Sequence, residues 1–226
     1  MGEIQVSEML KSIEEECRYT QGYTGIQTFK PEVMAAIAGV PREEFVPDYL
    51  KPWAYKNKPQ PIGNGQTISQ PYIVALMTDL LCPDKEHVIL EVGAGSGYQA
   101  AVLSQLVKQV HTLEIVPSLA AKAARILKKL GYLNVEIHQG DASGGLLRHA
   151  PYDGIIVTAA AGHIPPALKE QLKPGGRLVI PVGRPNMPQD LLLVQKDEQG
   201  GFTSQNILPV AFVPFTGELN RDNNLE

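Results

Sequence analysis

The sequence has few of the residues that mark secreted, metal-binding or membrane proteins. Its 226 residues include two cysteines, Cys17 and Cys82, with no CxxC spacing, so we expect neither a disulfide framework nor a zinc site. No apolar run approaches a membrane span, and Met1 to Arg18 is polar and glutamate-rich, unlike a secretory signal. A net charge of −4 without a basic block argues against nucleic acid as a partner. We therefore expect a cytoplasmic protein without membrane partners, with a monomer as the default state.

Strand and helix patterns alternate from His87 onward. Val88 to Val92 has the apolar character of a strand covered on both faces, and a glycine-rich turn leads from it into a helix over 98–107. Further strands are predicted at 110–116, 135–138, 154–158 and 177–182, with helices at 117–131 and 165–172 between them. Strand-like runs at 191–195 and 207–213 break the alternation. The pattern predicts an α/β fold: a doubly wound, Rossmann-like, mostly parallel sheet with an antiparallel C-terminal edge.

The segment before His87 is predicted to add helices to this sheet. Helical spacing covers 3–18, Pro31 and Pro71 stand where helices begin, and Cys82-Pro83 ends the helix over 71–81. The stretch 62–70 has the character of a polar loop. We expect one domain over 1–226, made of an N-terminal helical segment (1–82), a cofactor-binding core (83–183) and C-terminal strands with a tail (184–226).

The glycine turn indicates which kind of cofactor the core binds. A dinucleotide-binding turn has the spacing Gly-x-Gly-x-x-Gly, but Tyr98 stands at the third glycine position, which disfavours a nicotinamide-dependent dehydrogenase. The pattern Glu91-x-Gly93-x-Gly95-x-Gly97 instead resembles motif I of class I S-adenosylmethionine-dependent methyltransferases. This resemblance implies that the turn holds the amino-acid part of the cofactor. It also implies that Glu114 hydrogen-bonds the ribose and that Asp141 and Ala142 contact the adenine.

Several longer segments resemble the protein-L-isoaspartate O-methyltransferases. The resemblance runs in order from about 41 to 216 and is carried by PIGNGQTISQP (61–71), LEVGAGSGYQAAVL (90–103), YDGIIVTAAA (152–161), QLKPGGRLVIPVG (171–183) and FVPF (212–215). Ala142, Asn57 and Gly162-His163 depart from the family's pattern, which leaves details of the pocket rim open.

The resemblance implies a protein-repair reaction. The methyl group of S-adenosylmethionine would pass by direct in-line attack to the free carboxylate of an L-isoaspartyl residue in a damaged protein or peptide, leaving S-adenosylhomocysteine. A carboxylate is already ionised at neutral pH, so neither a general base nor a metal is expected. Ser69 is the implied catalytic residue. Gln66, Thr67, Ile68, Glu91, Gly93, Gly95, Gly97, Glu114, Asp141, Ala142 and Thr216 are the implied cofactor contacts. Thr67, Ile68, Ser69, Thr158, Ala159 and Val213 are the implied substrate contacts.

Simpler interpretations of these residues stay open. Ser69 stands where it would cap the following helix, Glu114 where it would complement a helix dipole, and Asp141 where an ordinary turn residue would serve. The small residues 158–161 suit tight packing as well as substrate contact. The five histidines appear scattered along the chain, and we interpret them as bystanders. A methyltransferase with a small-molecule or nucleic-acid acceptor and a non-catalytic S-adenosylmethionine-binding module are the alternative functions.

Overall fold

The chain alternates strands and helices through most of its length, and the computed structural model describes residues 2–184, 187–215 and 217. The strands are β1 (Gln60–Gly63), β2 (Gln66–Ile68), β3 (Val88–Val92), β4 (Gln109–Glu114), β5 (Val135–Gln139), β6 (Tyr152–Val157), β7 (Leu172–Val182), β8 (Gln189–Lys196) and β9 (Phe202–Val210). The helices are α1 (Gly2–Thr24), α2 (Pro31–Gly39), α3 (Pro71–Leu81), α4 (Tyr98–Ser104), α5 (Pro117–Leu130) and α6 (Pro166–Glu170). Short 3₁₀ helices cover Arg42–Phe45, Asp48–Trp53 and Leu147–His149.

Seven strands form one sheet in the order β5-β4-β3-β6-β7-β8-β9. The first five of these are parallel, and β8 and β9 add to the edge as an antiparallel meander. This confirms the predicted Rossmann-like, mostly parallel sheet with an antiparallel C-terminal edge. The chain winds outward from β3 to β5 and returns to β6 on the other side of β3, so the order reverses between β3 and β6.

Alternate residues of the central strands face two separate cores. Ile89 and Ile156 belong to a core that includes α1 to α5, whereas Leu90 and Ile155 belong to a core on the opposite face with α6. Burial on both faces explains why β3 is an almost continuous apolar run. Among the residues that the structure describes, no helix combines the length and apolarity needed to cross a membrane.

Prolines and left-handed residues set the bounds of the helices. Pro71 and Pro117 begin α3 and α5, where a missing N–H costs nothing. Cys82 ends α3 with φ 53°, and Gly131 ends α5 with φ 82°. Most predicted elements are found within a few residues of their expected bounds, but β7 begins five residues before the predicted strand at 177.

The predicted polar loop at 62–70 is wrong, because the structure has a β-hairpin there. Strands β1 and β2 pair antiparallel, with Gly63 opposite Gln66. The two residues between them, Asn64 and Gly65, have φ values of 52° and 70°, as a type I′ turn requires. The strands are too short for an alternating pattern to stand out, so only the Asn-Gly pair signalled the hairpin.

Candidate active site

The carboxyl ends of four parallel strands surround one cavity. It holds about 760 Å³ including its open mouth, and residues that follow β3, β4, β5 and β6 line it. The β1–β2 hairpin and the segment 213–215 close its sides. The cavity lies beside the β3–β6 reversal of strand order, where open α/β sheets bind ligands.

Most of the residues predicted from the sequence line this cavity. They are Gln66, Thr67, Ile68, Ser69, Glu91, Gly93, Gly95, Glu114, Ala142, Thr158, Ala159 and Val213. Gly97 and Asp141 are not among the lining residues, and Thr216 lies outside the described residues. Asp141 stands between the lining residues Gly140 and Ala142, and one of its carboxylate oxygens accepts a hydrogen bond from the Ser143 amide at 2.8 Å.

Gly97 has a packing role in the structure. It precedes α4 with φ 87°, and a Cβ atom there would lie 3.2 Å from Leu127 Cδ1 and 3.3 Å from Ala123 Cβ. The absence of a side chain at Gly97 therefore allows the start of α4 to approach α5 closely.

Thr158 holds the glycine turn against β6. Its hydroxyl donates to the Gly93 carbonyl at 2.6 Å, with the Val92 carbonyl 3.1 Å away. Gly93 has φ 95°, and a Cβ there would come within 2.6 Å of the Thr158 hydroxyl oxygen. The Thr158 hydroxyl thus donates its proton to the glycine turn. A substrate contact from this residue would have to come from its other atoms.

Glu114 is fixed by the backbone around the cavity. One carboxylate oxygen accepts from the Gly95 amide at 2.7 Å and the other from the Val116 amide at 2.9 Å. The second contact lies at the start of α5, as the helix-terminus interpretation predicts. This contact is compatible with a role of the same side chain in cofactor binding. A carboxylate has about four acceptor sites. Glu114 therefore keeps capacity for hydroxyl donors from the cavity.

Glu91 is a buried carboxyl group with no hydrogen-bond partner among the described residues. Burial raises its pKa to about 8, and this effect outweighs the opposing influence of the Thr112 hydroxyl. The side chain lines the cavity although it is shielded from solvent. An unpartnered carboxyl group in such a place is costly unless a ligand compensates it. It fits a cationic group placed in the cavity.

Ser69 lies on the cavity wall just before α3. The residue at the N-cap of α3 is Gln70, and no side chain caps this helix at that position. The Ser69 hydroxyl makes no hydrogen bond to any of the described residues, whereas its carbonyl accepts from Arg42 at 2.6 Å. The capping interpretation of Ser69 is therefore wrong, because the backbone does not engage the hydroxyl. The hydroxyl is available to a ligand.

A second, wider cleft meets the cavity at Ser69. It comprises about 1540 Å³ of space open to solvent, between the α1–α3 side and the chain around the end of β9. Thr67, Ser69 and Thr158 line both spaces. The site thus has an inner cavity and an outer cleft that meet at these three residues.

Comparison with known proteins identifies the relationship. The family model described as Protein-L-isoaspartate(D-aspartate) O-methyltransferase (PCMT) matches residues 20–220. The chain belongs to this family. It is 57% identical over 211 residues to Protein-L-isoaspartate O-methyltransferase 2 of Syntrophobacter fumaroxidans, covering 93% of this chain and 85% of that one. A relative of the same name from Polaromonas is 54% identical over 210 residues, covering 93% of this chain and all of that one. A solved protein-L-isoaspartate O-methyltransferase superposes with a TM-score of 0.80 at 26% identity, covering 97% of this chain and 70% of that one.

Two supporting residues of this family member were missed in the sequence. The fully buried Arg42 donates to the Ala54 carbonyl at 2.9 Å as well as to Ser69, and its guanidinium carbon lies 4.6 Å from the centre of the Tyr98 ring. Asn57 accepts from the Tyr72 amide at 2.9 Å, in the first turn of α3. Both residues lie in a proline-rich stretch without a clean period, so no pattern signalled their contacts. Together they hold Ser69 itself and the first turn of α3 that follows it.

The prediction that the histidines are scattered is wrong for three of the five. His111, His138 and His149 lie together with Glu136 on the sheet face opposite α4. The sequence carried one signal: Glu136 and His138 share a strand face by alternation. This signal predicts a cluster only when β4 is known to pair with β5, because that pairing brings His111 beside Glu136.

Proposed function

We propose that this protein is a protein-L-isoaspartate O-methyltransferase that repairs damaged proteins. It transfers the methyl group of S-adenosylmethionine to the free carboxylate of L-isoaspartyl residues and releases S-adenosylhomocysteine. The observation that carries this proposal is the junction, at Ser69, of the inner cavity at the strand ends with an outer cleft, where the Ser69 hydroxyl is free of the backbone. Membership of the family supports the choice of substrate.

The inner cavity fits the cofactor. Glu91 offers a buried, unpartnered carboxyl group for the ammonium group of the amino-acid part, and burial there strengthens a charged pair. Glu114 retains acceptor sites for the two ribose hydroxyls, and the 140–142 segment lies where the adenine would be held. Gln66, Thr67 and Ile68 of the hairpin form the remaining wall, and Thr216, outside the described residues, stays a proposed cofactor contact. In our proposal Gly97 acts through helix packing rather than by direct contact.

Catalysis in this site depends on alignment and exclusion of water. S-adenosylmethionine supplies a methyl group on a positively charged sulfur, so the methyl needs no further activation. The Ser69 hydroxyl donates a hydrogen bond to the substrate carboxylate and orients one of its oxygens along the line of attack. Ile68 and Val213 exclude water from the anionic nucleophile as the peptide fills the outer cleft. No proton has to be removed, because the carboxylate is already ionised.

The segment 158–161 provides one backbone contact for the peptide. The amides of Thr158, Ala160 and Ala161 donate to the carbonyls of Val92, Val213 and Pro181 respectively. Ala159 lines the cavity, and among the described residues its amide donates to none. We therefore assign the Ala159 amide as a substrate contact. The other three amides hold the wall in place.

The proposal is tested with labelled S-adenosylmethionine and two synthetic peptides that differ only in one L-isoaspartyl or normal aspartyl linkage. Methylation of the isoaspartyl peptide alone is expected. Methylation of neither peptide, by protein whose melting temperature rises with S-adenosylmethionine, would remove the substrate assignment but keep the cofactor. The same result would favour a small-molecule acceptor or a non-catalytic binding module.

The proposal includes three points that rest on composition. We place the protein in the cytoplasm, without nucleic-acid or membrane partners, because the net charge is −4 and the two cysteines have no CxxC spacing, and we take a monomer as the default state. Size-exclusion chromatography with light scattering tests the monomer directly.

A further inference from the structure

A second cluster of ligating side chains lies at the edge of the sheet, outside the active site. His111 is on β4, Glu136 and His138 are on β5, and His149 is in the 3₁₀ helix Leu147–His149. His111 and Glu136 are paired partners of neighbouring parallel strands, so their side chains stand side by side. His138 is two residues after Glu136 and shares its face. The 3₁₀ helix brings His149 onto the same face, with its ring stacked 4.0 Å from that of His111.

Three of the separations between the ligand atoms are close to those around a tetrahedral metal ion. The distances are 3.1 Å from His111 Nδ1 to His138 Nε2, 3.5 Å from His111 Nδ1 to a Glu136 oxygen, and 3.7 Å from His138 Nε2 to the other Glu136 oxygen. With Zn–N and Zn–O bonds of about 2.1 Å, the edge of a coordination tetrahedron is about 3.4 Å. One atom from each of the four residues lies within 4.8 Å of all the others.

The burial of the side chains leaves one side of the cluster open. His111 and His138 are buried, and a ring nitrogen of a neutral imidazole is the atom that binds zinc. Glu136 adds one negative charge and is half exposed, so it faces the route of entry.

Arg148 occupies the cation position of this cluster in the structure. Its guanidinium lies 2.7 Å from His138 Nδ1 and 3.5 Å from a Glu136 oxygen, and its Nε donates to His149 Nε2 at 2.8 Å. Because a guanidinium only donates, these ring nitrogens act as acceptors, and His138 carries its proton on Nε2. Metal binding through His138 Nε2 moves that proton to Nδ1, which ends the Arg148 contact. The Arg148 side chain is 62% exposed and has room to turn into solvent.

We propose that His111, Glu136, His138 and His149 form a structural zinc site, in which Zn²⁺ replaces the Arg148 guanidinium. Imidazole and carboxylate ligands in a tetrahedral set favour Zn²⁺ over Mg²⁺ or Ca²⁺, which require more oxygen ligands. The ion joins β4 and β5 to the 3₁₀ helix that follows the 140–146 segment. It therefore braces the segment that carries Gly140 and Ala142 into the active-site cavity.

The test is equilibrium binding of Zn²⁺ to chelator-treated protein, measured by competition with a chromophoric chelator. One Zn²⁺ per chain is expected. Glu136→Gln and His149→Gln should each weaken binding about tenfold or more, as even loss of an outer-shell partner costs about 10- to 100-fold. His87→Gln, which removes a histidine outside the cluster, is the matched control and should bind as the original chain does. Arg148→Ala should bind more tightly, because the competing cation is gone.

Co²⁺ reports the geometry of the same site. Tetrahedral Co²⁺ gives intense visible absorption and octahedral Co²⁺ only weak bands, so the intense spectrum should appear with the original chain and be lost with Glu136→Gln. The absence of saturable Zn²⁺ binding, or binding that Glu136→Gln and His149→Gln leave unchanged, would overturn the proposal. Methyl transfer by these variants, assayed separately, does not enter this decision.

Discussion

Ser69→Ala separates a catalytic role from a structural one, because the structure predicts a large loss of activity with almost no change in stability. The hydroxyl caps no helix and makes no hydrogen bond to the described residues, so its removal should change the free energy of unfolding by no more than about 0.5 kcal/mol. A hydrogen bond to a charged group is worth about 1.5–3 kcal/mol. At about 1.4 kcal/mol per tenfold change, we expect kcat/KM for an isoaspartyl peptide to fall by roughly ten- to a hundredfold.

The assay pairs labelled methyl transfer with urea unfolding of the same protein samples. Ser204→Ala is the matched control, because Ser204 is exposed on the edge strand β9 far from the cleft. It should leave both quantities unchanged. Unaltered methyl transfer by Ser69→Ala, or a loss of stability as large as the loss of activity, would refute the reasoning.

Three further predictions concern residues around Ser69 and the glycine turn. The raised pKa of Glu91 means that the folded state keeps a proton that the unfolded state releases. The free energy of unfolding should therefore fall as pH rises from about 4.5 to about 8. Glu91→Gln should flatten this decline, measured by urea unfolding at pH 5 and pH 8. Gly97→Ala forces a side chain onto φ 87° and against Leu127, and should lower the unfolding free energy by about 1–3 kcal/mol, whereas an unchanged urea midpoint would contradict the packing role. Arg42→Lys has one ammonium group for two carbonyls and should lower the free energy of unfolding by about 1.5–3 kcal/mol in the same experiment. The value of kcat/KM should also fall, because the Ser69 carbonyl loses its hydrogen bond to the guanidinium. Full activity would show that this hydrogen bond is dispensable.

Much of the fold and of the cavity lining was predictable because the position of each strand and the residues at its end are local properties of the sequence. The run Val88–Val92 followed by glycines fixed a strand, a turn and a helix, and Glu114 followed from the next strand end. What escaped prediction depends on contacts between distant segments. Arg42 reaches Ser69 across 27 positions, and the type I′ hairpin depends on pairing between strands of four and three residues. Helix α3 begins at Pro71, as the proline pattern predicted, but its N-cap is Gln70 rather than Ser69, so the interpretation of Ser69 as a helix cap failed.

The histidine cluster is another feature that the sequence alone does not predict, because it depends on how two strands pair. His111 and Glu136 become neighbours only because β4 pairs with β5 in one particular register. A shift of that register by one residue would turn their side chains to opposite faces. The residue types were visible in the sequence, but their meeting is a property of the sheet.

The Asn64-Gly65 turn exposes the protein to the kind of damage that its proposed activity repairs. Glycine has no Cβ to hinder its amide nitrogen when that nitrogen attacks the preceding carboxamide, and Asn64 is exposed at the tip of the hairpin. Rearrangement there adds a methylene to the backbone of a two-residue turn that sets the register of β2, and β2 leads directly to Ser69. Isoaspartate formation at this one dipeptide would lengthen the turn beside the active-site wall and would give the protein the type of residue that its proposed activity methylates.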